Sequence, residues 1–180
     1  MLRPNKWQDY VGQEKVKEQL RIILEAAQRR QESCDHLLFY GQAGLGKTTL
    51  AHLVAAELKA NLKITAGPSL EKVSDLAAVL TNLESGDILF IDEAHRLNRV
   101  AEEVLYPAME ERKLNIIVGK GPGARSLALD LPAFTLIAAT TRANLLSGPL
   151  RSRFCASFKL DYYDLKSIEA IIMLSSEILN

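Results

Sequence analysis

The chain has no excess of either charge: lysine plus arginine number 22 and aspartate plus glutamate 22. No global positive field therefore draws it to nucleic acid, and any grip on DNA has to be local or lie in another segment. Cysteine is scarce. Cys34 and Cys155 stand too far apart for a metal-ligand spacing, and the expectation is buried or idle thiols in a reducing cytosol. Long hydrophobic runs are missing as well, which excludes a membrane-spanning helix, and the first residues lack the make-up of a secretory signal. The expected location is the cytoplasm. Repeats and low-complexity tracts are absent. What remains is ordinary globular material, 48% hydrophobic and 24% charged over 180 residues, enough for one substantial domain and a piece of a second.

Within that plain composition one stretch stands out. Gly41-Gln42-Ala43-Gly44-Leu45-Gly46-Lys47-Thr48 fits the phosphate-binding P-loop pattern G-x-x-x-x-G-K-[ST]. His36 to Tyr40 before it is a short apolar run suited to a buried parallel strand. Thr48 to Leu58 after it has the spacing of a helix with one apolar face. Glycines let the backbone wrap an anion at φ values that other residues avoid. The loop N–H groups and the helix N-terminus then point at phosphates. Lys47 brings a mobile positive charge and Thr48 an oxygen for Mg²⁺. This is a nucleotide site.

The other elements follow in order. Met1 to Gly12 is polar and irregular, with Trp7, Tyr10 and Val11 as apolar anchors, and Gln13 to Arg30 is an amphipathic helix. Asn61 to Ala66 alternates as a second strand, Gly67-Pro68 breaks it, and Leu70 to Leu83 is helical. Ile88 to Ile91 then runs into Asp92 and Glu93, a buried strand delivering two acids at its C-terminal edge, where α/β sheets hold ligands. This is the Walker B pattern: Asp92 holds Mg²⁺ through water, and Glu93 orients or deprotonates the attacking water. Ala94 to Met109 reads as a helix that Pro107 kinks or ends. His95 within it is expected to pack rather than to catalyse.

Leu114 to Val118 and Ser126 to Leu131 flank the glycine-rich Gly119-Lys120-Gly121-Pro122-Gly123, a hairpin signature. The hairpin is either packed on its own domain or a protruding partner surface. Phe134 to Ala139 is a further buried strand ending in Thr140-Thr141-Arg142, where a hydroxyl could reach a γ-phosphate or its water. Read alone, Arg151 and Arg153 are surface charges. Phe158 to Leu160 is a last short strand, and Tyr163 to Asn180 an amphipathic helix.

GQAGLGKTT, LFIDEAHR, ATTR and PLRSRF, in this order, resemble the AAA+ ATPases. More narrowly, LRPNKWQDYVGQEKV, ITAGPSLEK, GKGPGARS and DLPAFTLIAATTRANLL resemble the RuvB family of bacterial Holliday-junction branch-migration ATPases. The likeness runs from about Arg3 onward, and the hairpin segment is its most specific part. It implies an α/β P-loop NTPase fold: an AAA+ large domain over 1–160, a three-layer parallel sheet with flanking helices and a protruding β-hairpin. Residues 161–180 would then begin a helical lid, and a winged-helix DNA-binding domain would be absent.

The resemblance also assigns roles. ATP or ADP with Mg²⁺ is the implied cofactor, held by Gly41, Gly44, Leu45, Gly46, Lys47, Thr48 and Thr49, with Arg3, Tyr10 and Val11 at the adenine and ribose. Asp92 and Glu93 are the Walker B pair, and Thr141, with Thr140 as second choice, reads the γ-phosphate. Arg153 resembles the arginine that one subunit inserts into its neighbour's site, which replaces the surface-charge reading. Implied partners are a junction-recognising RuvA-like protein on the 114–131 hairpin, further copies in a hexameric ring, and junction DNA, mainly through the missing C-terminal domain. The implied function is an ATP-driven motor for branch migration in recombination and repair, alongside RuvA and RuvC. Alternatives are a nucleotide-gated interaction module without turnover and a clamp-loader-like ATPase. The sequence departs from the family at Gln42-Ala43, where two prolines are usual, at Ala94 for isoleucine and at Ala139 for glycine. None of these removes a phosphate or metal ligand. Without the lid, the expectation is weak ATP binding, poor hydrolysis and little DNA binding.

Overall fold

The computed structural model describes residue 4, residues 6–118 and residues 125–179. Arg3 and the turn 119–124 lie outside the described residues. Five parallel strands form the sheet, in the order β2-β3-β6-β1-β7. They are β1 (Leu37–Tyr40), β2 (Leu62–Ala66), β3 (Ile88–Asp92), β6 (Thr135–Thr140) and β7 (Ala156–Lys159). The central runs are apolar along their middles because both faces are covered: all six residues of β6 are buried, with threonines only at its two ends, as are the first four of β3.

Alternation along the strands splits the core into two halves. Ile88, Phe90, Ile137 and Ala139 pack with α1 (Glu14–Arg30) and α2 (Lys47–Leu58). Leu89, Ile91, Leu136 and Ala138 pack with α3 (Val73–Thr81) and α4 (Arg99–Glu110). The result is the expected three layers. In α1 the buried residues are Val16, Leu20, Leu24 and Ala27, the apolar face that spacing alone indicates. A separate antiparallel pair, β4 (Lys113–Val118) with β5 (Arg125–Asp130), stands apart from the sheet. Leu114 anchors it in the core, whereas most of β5 is exposed. The short α5 (Gly148–Arg151) precedes β7, and α6 (Leu165–Leu179) follows it.

Two local expectations need correction. The helix read over Ala94 to Met109 is broken: a single 3₁₀ turn spans Ala94–Arg96, and α4 starts afresh after Asn98. The Asn98 side chain accepts from Ala101 N at 2.8 Å, an N-cap that satisfies one of the orphan donors of a new helix. Pro107 neither ends nor bounds α4, which continues through it to Glu110. The proline removes a donor near the exposed end, and the last turn is still closed by Glu111 N to Pro107 O at 2.9 Å.

Candidate functional site

The sheet order decides what meets at the C-terminal edge. Because β6 lies between β1 and β3, the loop after β1, the acids ending β3 and the threonines ending β6 come out side by side. At the loop, Gly44 and Gly46 have φ of 81° and 92°, left-handed values that glycine tolerates best. The first bond of α2 is Leu50 N to Gly46 O at 2.9 Å, so the N–H groups of Lys47, Thr48 and Thr49 stand ahead of the helical ladder. These are oriented donors at a positive helix end, the arrangement that binds phosphate.

Lys47 is buried despite its charge. Its Nζ donates to the carbonyls of Gly41 at 2.8 Å and Gln42 at 2.7 Å. Burial lowers its pKa, and the Asp92 carboxylate opposes that shift. Lysine and acid therefore stand close enough to feel each other's charge.

Asp92 ends β3 and accepts from Glu93 N at 2.8 Å. Glu93 itself sits at φ 48°, a left-handed conformation that costs a non-glycine residue about 1–3 kcal/mol. Gly67 makes room for the kink: a Cβ there would stand 2.5 Å from the Glu93 carbonyl oxygen. Arg96 pairs with Glu93 at 3.2 Å, both partners half-exposed.

Thr140 is fully buried. Its hydroxyl accepts from Arg142 N at 2.9 Å and contacts His95 Nδ1 at 2.9 Å. His95 thus ties the acid-bearing turn to the end of β6. That tie was invisible in the sequence, because 45 residues separate the partners. Thr141, one step past the strand, is partly exposed.

Tyr10 approaches the loop from behind. Its ring is 4% exposed, and its hydroxyl and that of Tyr163 lie 3.4 and 3.1 Å from the Leu45 carbonyl and 3.3 Å from each other. Burial, then the Tyr163 hydroxyl, raises the Tyr10 pKa and keeps the phenol protonated. Gln13 fastens the same arm to the segment after β7 through Asp161 O at 2.6 Å and Asp161 N at 3.2 Å. Val11, beside this clasp, is partly buried.

Arg153 is the one described site residue that the fold keeps out of this cluster. It lies between α5 and α4, donating to Pro149 O of α5 at 2.6 Å and to Glu110 of α4 at 3.1 Å. It also stacks over Tyr106 at 4.4 Å. The two cysteines are free. Burial pushes the Cys34 thiol up to about 12 and raises that of Cys155, so neither is poised as a nucleophile.

A parallel sheet covered by helices on both faces, with a glycine loop, a buried lysine and two successive acids at the end of β3, defines a P-loop nucleotide-binding protein of the AAA+ kind. Residues 2–160 match the family model described as the Holliday junction DNA helicase RuvB P-loop domain, and the chain belongs to that family. It is 56% identical over 175 residues to the Holliday junction branch migration complex subunit RuvB of Helicobacter hepaticus, covering 97% of this chain and 52% of that protein. Against the Fusobacterium nucleatum subunit it is 59% identical over 178 residues, covering 99% of this chain and 54% of that protein. The solved Thermotoga maritima RuvB Holliday junction branch migration motor superposes with a TM-score of 0.88 at 47% identity, covering 99% of this chain and 55% of that one. The chain thus spans about half the length of the relatives it matches.

Proposed function

We propose that this chain is the ATPase part of a motor that drives branch migration of Holliday junctions. The observation that carries the reading is the meeting of Lys47, Asp92, Glu93 and the Thr140–Thr141 strand end on three adjacent strands of one sheet. Membership of the RuvB family supplies the direction of the work. ATP enters with its phosphates against the loop donors and Lys47. Among the described residues no group of three or more His, Cys, Asp or Glu could hold a metal alone. Mg²⁺ at this edge therefore depends on phosphate oxygens and water, with Thr48 and Asp92 as the protein's contribution. These residues fit that role: a hydroxyl in the first turn of α2 and a carboxylate facing the lysine. Glu93 positions the attacking water, and Thr141 reads the γ-phosphate.

Arg153 points away from its own loop, which suits a group that serves the site of a neighbouring copy in a hexameric ring. The exposed strand β5 and the anchored β4 suit a docking surface for a RuvA-like partner. The test is ATP turnover by the full chain as the cell makes it, with synthetic four-way junctions and RuvA. Junction-dependent turnover and strand displacement, both lost in Lys47→Ala, support the reading. Nucleotide binding without turnover, or turnover stimulated equally by primed linear DNA, overturns it.

A further inference from the structure

Resting on the reading in which Arg153 serves a neighbouring site, we propose that Tyr106 is the positioning residue that aims Arg153. The guanidinium stacks over the Tyr106 ring at 4.4 Å, and its side chain is only 20% exposed. Arg153 Nε is buried with no hydrogen-bond partner. Its inner edge is therefore held by the flat contact with the ring, while the outer nitrogens reach Pro149 O and Glu110.

The ring is fixed in turn. Its hydroxyl lies 3.2 Å from Glu102, a buried carboxylate, and 3.1 Å from Ser147 Oγ. Ser147 is the N-cap of α5, its Oγ accepting from Leu150 N at 3.2 Å. One phenol thus joins α4 to the helix that leads into Arg153. The connection continues backward: the N-cap of α4, Asn98, stands two residues after the Arg96 that pairs with Glu93. One helix, α4, therefore runs from beside the acid-bearing turn to the Tyr106 and Glu110 that hold the arginine. Glu110 is the contact that can be exchanged, because a phosphate oxygen offers the same guanidinium edge the same charge. The stack has no such competitor and stays.

The experiment uses the full chain, assembled, in two parts. Tyr106→Leu and Tyr106→Phe both remove the hydroxyl from Glu102, so their difference reads the stack alone. Tyr106→Leu should lower kcat by roughly 10- to 100-fold with KM for ATP little changed, and Tyr106→Phe should recover most of that loss. The second part mixes subunits. Lys47→Ala cannot use ATP but presents a sound Arg153, so mixing it with Tyr106→Leu should restore turnover, as it should with Arg153→Ala. Restoration with Arg153→Ala but not with Tyr106→Leu overturns the role of Tyr106 while leaving the trans arginine standing. No restoration with either variant, or full activity of Arg153→Ala alone, overturns the trans reading and this inference with it. Equal damage from Tyr106→Phe and Tyr106→Leu also overturns the inference.

Discussion

His95 Nδ1 and Thr140 Oγ1 lie 2.9 Å apart, joining the turn after β3 to the end of β6. Thr140 is also the acceptor for Arg142 N, so its hydroxyl is committed within the protein. This separates two neighbouring threonines that look equivalent in the sequence. Thr141 is the one left to meet a ligand. Thr141→Val should therefore lower ATP turnover by about 100-fold, the usual loss for one preorganised donor, while thermal stability holds. Thr140→Val should instead leave buried partners unpaired and cost about 1–3 kcal/mol in a urea melt. If turnover falls only in Thr140→Val, the assignment is reversed.

Glu93→Gln keeps the shape of the side chain and removes its basicity and its charge toward Arg96. General-base loss is worth about 100- to 10,000-fold. The expected outcome is a protein that retains ATP through gel filtration and turns it over at that reduced rate. Release of ADP at the parent's rate would remove Glu93 from the chemistry.

The sequence showed most of this architecture because most of it is periodic. Val16, Leu20, Leu24 and Ala27 mark the buried face of α1, and the unbroken run Ile88 to Ile91 marks a strand covered on both sides. The break at Asn98 was hidden because apolar spacing carries on across it through Leu97, Ala101 and Leu105, all buried. A cap and a left-handed Glu93 are single-residue events without a period. Within the site, the P-loop and the acids were legible as local motifs. The Tyr10–Tyr163 clasp and the Tyr106–Arg153 stack were not, since their partners are brought together only by the fold.

His36 sets a pH limit on stability. Its Nδ1 accepts from Leu136 N at 2.8 Å, so the other nitrogen carries the proton and donates to Met109 O at 3.1 Å. The ring is held neutral, and burial lowers its pKa from 6.5. Below pH 6.5 the unfolded chain therefore binds a proton that the folded chain refuses, and stability falls as pH falls. The stabilisation is fully present above 6.5 and is lost through the folded pKa below it. Urea midpoints at pH 7.5 and 5.5 should show this decline, and His36→Gln should flatten it. An unchanged slope in that variant would assign the decline to other groups.

Gly46 is where the loop, Tyr10 of the N-terminal arm and Tyr163 compete for one space. At φ 92° an added Cβ would stand 2.6 Å from the Tyr10 hydroxyl oxygen, and 3.2 Å from both Tyr10 Cε2 and the Tyr163 hydroxyl. The buried Tyr10 ring has little room to retreat. Gly46→Ala therefore combines a backbone strain of about 1–2 kcal/mol with a clash against the clasp. The expected result is a lowered melting temperature and loss of binding to a fluorescent ADP analogue. Tyr10→Phe removes the oxygen at 2.6 Å but leaves the ring carbon and the φ value unchanged. Added to Gly46→Ala, it should recover the melting temperature only in part. Full recovery would mean that the hydroxyl contact alone fixes this position as glycine. No recovery would mean that the backbone conformation does, with Tyr10 and Tyr163 merely resting on a loop already shaped for phosphate.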